Sequence, residues 1–322
     1  MSSVTERSIL AWHVHGSWMQ SLVAGRHRYL VPVTADKGAD GRGLLGRNWA
    51  RAQEIDSDRL RDEDIDLVVL QRAEELDLAE RWTGRRPGSD VPAVFVEHNA
   101  PRPYAVDSVH PLAERRDIPV VHVTDFNRLM WDTGVAPTVV IDHGIADPGL
   151  RYTGEIAVAA TMINEPLRRW RTVGADLLPT LGAGTPIDVW GIGTAGLADK
   201  AWPGVRPQGD VPGPQLWPEV ARRRVFLHTA RWTSLGLSLL EAMFLGMPVV
   251  AVASTMAPLV VPAEAGVVSA DVKQLAAALE QFVSDLPAAT AAGKAARDFA
   301  MAHFSLDRFL ADWDRLIDEL CA

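Results

Sequence analysis

The sequence predicts an α/β protein built from two parallel-sheet domains. Three observations predict it. Short β-branched apolar runs alternate with segments of helical length and pattern along the whole chain. Several of these runs are nearly continuously apolar, as expected of strands covered on both faces. The 322 residues are interrupted near the middle by a Gly- and Pro-rich stretch, "GIADPGLRYTG" from Gly144 to Gly154. That break divides the chain into domains of ordinary size, 1–150 and 151–322.

In chain order, the first domain carries strands at "ILAWHVH", "RYLVPV", "DLVVLQ", "AVFVEH", "PVVHVT" and "TVVIDH". The second carries "IAVAAT", "PIDVWG", "RVFLHT", "PVVAVA" and "GVVS". Strand–helix alternation of this kind places crossover helices on both faces of each sheet. Ligands then bind beyond the C-terminal ends of the strands, here in a cleft between the domains. The last helical stretch, about 306–320, lies beyond the second sheet and is expected to pack back on the first domain.

With 48% hydrophobic and 23% charged residues the chain has the composition of a soluble globular protein. A formal net charge of −9 disfavours nucleic acid or an anionic membrane as a general partner. The only cysteine is Cys321, so no intrachain disulfide forms, and a cytoplasmic location is expected. The first apolar run is short and holds two histidines, unlike a signal peptide, and no run is long enough to span a bilayer. Peripheral membrane contact stays open, and so does the oligomeric state.

The stretch "TSLGLSLLEAMFLGMPVV", Thr233 to Val250, carries the chemistry. It reads as a buried helix with one narrow polar stripe, Ser238 and Glu241, three residues apart. Gly236 allows close backbone approach, and a helix start offers unpaired amides to a phosphate. Glu241, a turn further in, suits a ribose diol through charge-assisted hydrogen bonds. The alternative is a glutamate paired with a backbone amide or an arginine inside the fold.

This stretch resembles the donor-binding segment of the retaining GT-B glycosyltransferases of the family 4 type (glycosyl transferases group 1). Their pattern is a glutamate, then Gly-Phe-Gly-Leu, Leu-Leu-Glu-Ala-Met and Gly-x-Pro-Val-Val-Ala. The resemblance implies a GT-B fold, two Rossmann-like domains facing a central cleft, acceptor on the first and nucleotide sugar on the second. Glu241 matches the ribose-binding glutamate. Thr233 stands where the family has its first glutamate, near the donor sugar, and Ser234, Leu235, Gly236 and Leu237 present amides to the diphosphate.

"MINEPLRRWRTVGADLLPTL" resembles the segment whose cations neutralise the diphosphate, and its lysine position falls on Arg168 or Arg169. "DVWGIG", with Gly191, and "VRPQGDVPGPQLWPEV" resemble loops that cover the base. In the first domain His98, after "VFVE", matches a histidine that contacts the transferred sugar. "HVHGSW" resembles the glycine turn after the first strand. It makes Gly16 a donor contact and His15, Ser17 and Trp18 the acceptor contacts.

The expected function is therefore transfer of a sugar from a nucleotide-diphosphate donor to an acceptor hydroxyl, with retention and without a metal. The nucleotide sugar is a co-substrate and no further cofactor is implied. A non-hydrolysing sugar-nucleotide epimerase and a non-catalytic sugar-nucleotide-binding protein are the alternatives. His13 and His15, two apart on a strand face, would form a metal site only with His98, His122 or Asp142, and no ligand spacing supports one.

Overall fold

The structure, a computed structural model, describes residues 5–322. The chain divides into two compact units: residues up to Ile145 together with Leu306–Ala322, and Ala146–Ser305. The division thus falls a few residues before the expected position, still inside the Gly144–Gly154 stretch, and the C-terminal helix groups with the first unit.

The first unit holds a seven-stranded parallel sheet in the order β3-β2-β1-β4-β5-β6-β7. Its strands are β1 (Ser8–Ala11), β2 (Arg28–Val33), β3 (Ala52–Asp56), β4 (Leu67–Leu70), β5 (Ala93–Glu97), β6 (Val120–His122) and β7 (Thr138–Val140). Its α-helices are α1 (Gly16–Leu22), α2 (Glu74–Thr83), α3 (Asp125–Met130) and, after the second unit, the C-terminal Leu306–Leu320.

The second unit holds six parallel strands in the order β10-β9-β8-β11-β12-β13. They are β8 (Ile156–Met162), β9 (Ile187–Trp190), β10 (Val205–Gly209), β11 (Arg223–His228), β12 (Val249–Val252) and β13 (Gly266–Ser269). Its helices are α4 (Pro166–Arg169), α5 (Leu178–Gly182), α6 (Gly213–Ala221), α7 (Leu237–Leu245), α8 (Ala257–Val260), α9 (Val272–Ser284) and α10 (Leu286–His303), which makes the C-terminal helix α11.

The central strands are those with continuous apolar runs. β4 and β11 are buried at every residue. β1 pairs with both β2 and β4, and β8 with both β9 and β11. At those strands the chain turns from one half of the sheet to the other, and a crevice opens beyond the C-terminal strand ends. The residues that follow β1, β8 and β11 therefore hold the candidate sites.

Two strands carry no continuous apolar run. β3, "AQEID", and β10, "VRPQG", are edge strands in which every residue except Ile55 is exposed or partly so. The segment expected as a base-covering loop is instead β10 followed by α6. Pro207 fits because an edge strand leaves one row of amides unpaired.

α11 shows why the C-terminal stretch joins the first unit. Phe309, Trp313 and Ile317, spaced by four, are its buried residues. Trp18 of α1 meets Phe309 and Trp313 edge-on, with ring centroids 6.4 and 5.7 Å apart. Burying each such side chain is worth roughly 1.5–3 kcal/mol. Polar contacts fix the register: Asp314 receives Arg26 at 2.9 Å and His27 at 3.2 Å.

Among the described residues no helix is long and apolar enough to cross a membrane.

Candidate functional site

In the second unit β11 ends at His228 and the chain turns through 229–236 into α7. Gly236 is the N-cap, in extended conformation, and as a glycine offers no side chain to cap the first amides. Gly246 ends the helix in the left-handed conformation, φ 88°. Apart from Leu237, Ser238 and Glu241, every residue of α7 is buried. Ser238 and Glu241 are the polar stripe read from the sequence, and Leu237 is half-buried beside them.

Glu241 is reached by no hydrogen bond or ion pair among the described residues. Burial pushes its carboxyl up to about 7. The partner inside the fold that the sequence left open, an arginine or a backbone amide, is thus not present. Thr233 is half-buried, and its Oγ1 is sealed from solvent without a hydrogen-bond partner. Ser234 and Leu235 are buried, which leaves their backbone as the part that can meet a ligand.

The turn after β8 lies at the same end of the sheet. α4 is a single turn between two residues with positive φ, Glu165 (53°) and Trp170 (29°). Strain of this kind gathers at ligand sites. Arg168 is exposed, with Nε 2.9 Å from Glu165 Oε1, so its charge is engaged within its own turn. Arg169 is half-buried. The two candidate arginines therefore differ, and Arg169 is the one turned toward the protein.

The turns after β8 and β11 are joined directly. Thr172 accepts hydrogen bonds from the amides of Arg231 (2.9 Å) and Trp232 (3.1 Å). Thr229 Oγ1 donates to the Val173 carbonyl at 2.7 Å. Asp176 receives Arg231 on both oxygens. Gly174, φ 71°, is so close to β11 that a Cβ there would lie 1.9 Å from the Thr229 carbonyl oxygen. Gly191 lies similarly against Ile163, its absent Cβ 2.3 Å from that carbonyl. Its glycine is required by this packing. Asp188, in the same expected base loop, is a buried strand residue bridging Arg206 (2.7 Å) and Arg223 (2.8 Å).

In the first unit the turn after β1 carries His13, His15 and Gly16. β1 ends at Ala11, so the two histidines lie in that turn and share no strand face. His98, just after β5, lies against His15 with ring centroids 4.1 Å apart and the rings tilted by 40°, and meets Trp18 edge-on at 4.8 Å. Gln71, after β4, orients it. Gln71 Nε2 donates to the Trp12 carbonyl at 2.7 Å, which turns Oε1 toward His98 Nε2, 3.1 Å away. His98 therefore carries its proton on Nε2. Burial, with the like charges of His15 and His143, holds its pKa well below the usual histidine value.

Trp18 is 2% exposed, packed between His98 and α11. It belongs to the core of this unit and is corrected from acceptor contact to support for His98. Ser17 is exposed, and His15 and Gly16 are half-buried. No three His, Cys, Asp or Glu side chains converge as a metal site among the described residues.

Several residues around these turns were not legible in the sequence. Arg47, on the long β2–β3 connection, lays Nη2 3.0 Å from where a Gly16 Cβ would be, and its guanidinium covers Trp49 at 5.6 Å. His13 Nδ1 donates to the Gly43 carbonyl at 3.0 Å, which fixes that connection over the Gly16 turn. His143, after β7, is buried with a pKa near 3, burial being the main cause. Long-range approach of this kind leaves no spacing signal. For Gln71 a signal existed: it is the one polar residue closing the run "LVVLQ".

Residues 177–285 match the family described as glycosyl transferases group 1. This segment is similar to group 1 glycosyl transferase domains. It contains α7, Glu241, Gly191 and the turn after β11; the basic turn at 162–174 and the whole first unit lie outside it.

The chain as a whole is similar in fold to GT-B glycosyltransferases. Against HepE of Anabaena, solved with UDP-glucose, the TM-score is 0.72 at 18% identity, covering 98% of this chain and 100% of that one. Against sucrose-phosphate synthase of Thermosynechococcus elongatus it is 0.71 at 15%, covering 98% and 99%. Against S. aureus TarM it is 0.64 at 15%, covering 78% of this chain and 55% of TarM, so the chain spans about half of that protein's length. At these identities the likeness is one of fold. No curated protein matches the chain in sequence. The two parallel sheets, each wound outward from β1 or β8, are the two Rossmann-like domains of a GT-B protein.

Proposed function

We propose that the protein transfers a sugar from a nucleotide-diphosphate donor to an acceptor hydroxyl, with retention of configuration and with no metal or further cofactor. The observation that carries this reading is Glu241: a buried carboxyl without a protein partner, on the open stripe of the helix that the family match contains. A ribose diol supplies the hydrogen bonds it lacks.

In this reading the diphosphate lies at the first amides of α7 and against Arg169, with Arg168 held outward by Glu165. When the bond between the anomeric carbon and the diphosphate oxygen breaks, negative charge collects on the leaving diphosphate. Donors already fixed around it are what accelerate that step. The first unit supplies His98, held as a neutral Nε2–H tautomer, for the transferred sugar. Gly16, His15 and Ser17 serve the substrate at the turn after β1. Arginine and helix amides in place of clustered carboxylates support metal independence.

The test is incubation with UDP-, GDP-, dTDP- and ADP-sugars, starting from UDP-glucose because HepE was solved with it. Release of the nucleoside diphosphate with a glycosylated or hydrolysed product supports transfer. Activity unchanged by EDTA supports metal independence, and the anomeric coupling of the product reads retention. A changed sugar still attached to its nucleotide would show an epimerase. Binding without turnover would show a non-catalytic protein.

A further inference from the structure

β11 closes with His228, which the donor reading does not use. The side chain is 9% exposed, yet no hydrogen bond or ion pair reaches it among the described residues. Neither ring nitrogen is sealed from solvent. The ring's edge faces Gly236: Cε1 would lie 2.9 Å and Nε2 3.7 Å from a Cβ placed there. Gly236 is the N-cap of α7 and has no side chain to cap its first amides. The unpartnered imidazole and the start of α7 therefore meet at one place. A side chain at Gly236 would press on the ring.

We propose that His228 is a phosphate-binding residue of the donor site, its imidazole N–H donating to a phosphate oxygen that the first amides of α7 also hold. The proposal rests on the donor placement above and names a residue that placement did not need. The ligand chemistry is a diphosphate oxyanion. Burial holds the ring neutral at physiological pH, with a pKa of about 4, so it acts as a single N–H donor and adds no cation. A histidine sealed in the interior without a partner, as His122 is at both ring nitrogens, has no ligand to meet. Here the nearest edge is offered to the helix start instead.

The experiment is calorimetric titration of the full chain with UDP, uridine and inorganic pyrophosphate. Three proteins are compared: wild type, His228→Leu, which keeps the volume, and His228→Gln, which keeps an N–H donor near Nε2. The expected result for His228→Leu is about tenfold or more weaker binding of UDP and of pyrophosphate, with uridine unchanged. His228→Gln should recover most of the loss. A well-folded His228→Leu that binds UDP and pyrophosphate within twofold of wild type overturns the proposal. Equal losses for UDP and uridine overturn it too, since they mark a general disturbance of the site. Should the leucine variant not fold, His228→Ala repeats the comparison against His228→Gln. A wild type that binds pyrophosphate but no UDP, GDP, dTDP or ADP sinks the donor reading and leaves His228 to be judged on pyrophosphate. A wild type that binds none of them overturns both.

Discussion

Glu241 carries opposite requirements when the site is empty and when it is filled. Empty, its burial without a partner favours the protonated acid and raises its pKa to about 7. Filled, a ribose diol donates two hydrogen bonds and favours the carboxylate. A ligand that prefers the deprotonated form lowers the group's pKa on binding, so its affinity rises as pH rises through about 7. Nucleoside diphosphate titrations from pH 6 to 8 should show that rise, and Glu241→Gln should remove it while weakening binding by about 1.5–3 kcal/mol. The same pH dependence in both proteins would assign it to the ligand's phosphate and sink the ribose contact. His98 makes a contrasting case. His98→Ala is expected to lower turnover by at least tenfold while nucleoside diphosphate affinity stays within about twofold, because its contact is with the sugar at the chemical step. Near-normal turnover would return His98, with Gln71 and Trp18, to a structural role. Glu241 was legible because one charge in an apolar helix breaks a pattern. His228 was not, since it ends a strand with no neighbour in sequence to mark it, and Arg47 reaches Gly16 from a loop more than thirty residues away.

At the scale of elements, the central strands were readable because burial on both faces leaves continuous apolar runs, as in β4 and β11. β3 and β10 lacked that signal for the opposite reason: as edges, they keep polar residues facing solvent. The basic turn was visible as "RRWR", but its register was not. Which arginine turns inward depends on one helical turn between two positive-φ residues, a backbone choice no residue pattern records. The turn is held by its bonds to the segment after β11, and Gly174 permits that approach. Gly174→Ala would put a methyl group against the Thr229 carbonyl and would require φ 71° of a residue with a Cβ. Relief requires the two turns to separate. The expected cost is about 1–3 kcal/mol of stability, together with weaker binding of the nucleoside diphosphate, because Arg169 moves with its turn. Urea melts and titration on the same variant check both. A variant that loses stability but binds as wild type would show that the basic turn does not hold the donor.

For the molecule as a whole, the same winding order recurs in two sheets, while the ionisable groups are divided unequally between the units. Among the described residues six histidines have lowered pKa values, each chiefly through burial. His13, His27, His98, His122 and His143 are in the first unit, and His228 is in the second. A histidine with a depressed folded pKa binds its proton in the unfolded chain first. Its stabilising contribution is therefore complete above the unfolded value, about 6.5, and is lost as pH falls below it. Buried carboxyls act with the opposite sign. Glu75, raised to about 6, and Asp142, raised by burial, gain stability on acidification in the first unit, and Glu241 does so in the second. Five histidines against two carboxyls leave the first unit with a net loss in acid; one against one leaves the second unit nearly balanced. Each uncompensated proton changes stability by about 1.4 kcal/mol per pH unit. The first unit should therefore lose stability relative to the second between pH 6.5 and 5. Hydrogen exchange read by mass spectrometry, corrected for the intrinsic pH dependence of exchange, resolves the two units in the intact chain. Amides of β1, β4 and β5 should show falling opening free energies over that range, while those of β8, β11 and β12 hold nearly constant. Equal acid sensitivity in both sheets would mean that the histidines around His98 are not held neutral by burial, and that the tautomer assigned to His98 is not enforced by the fold.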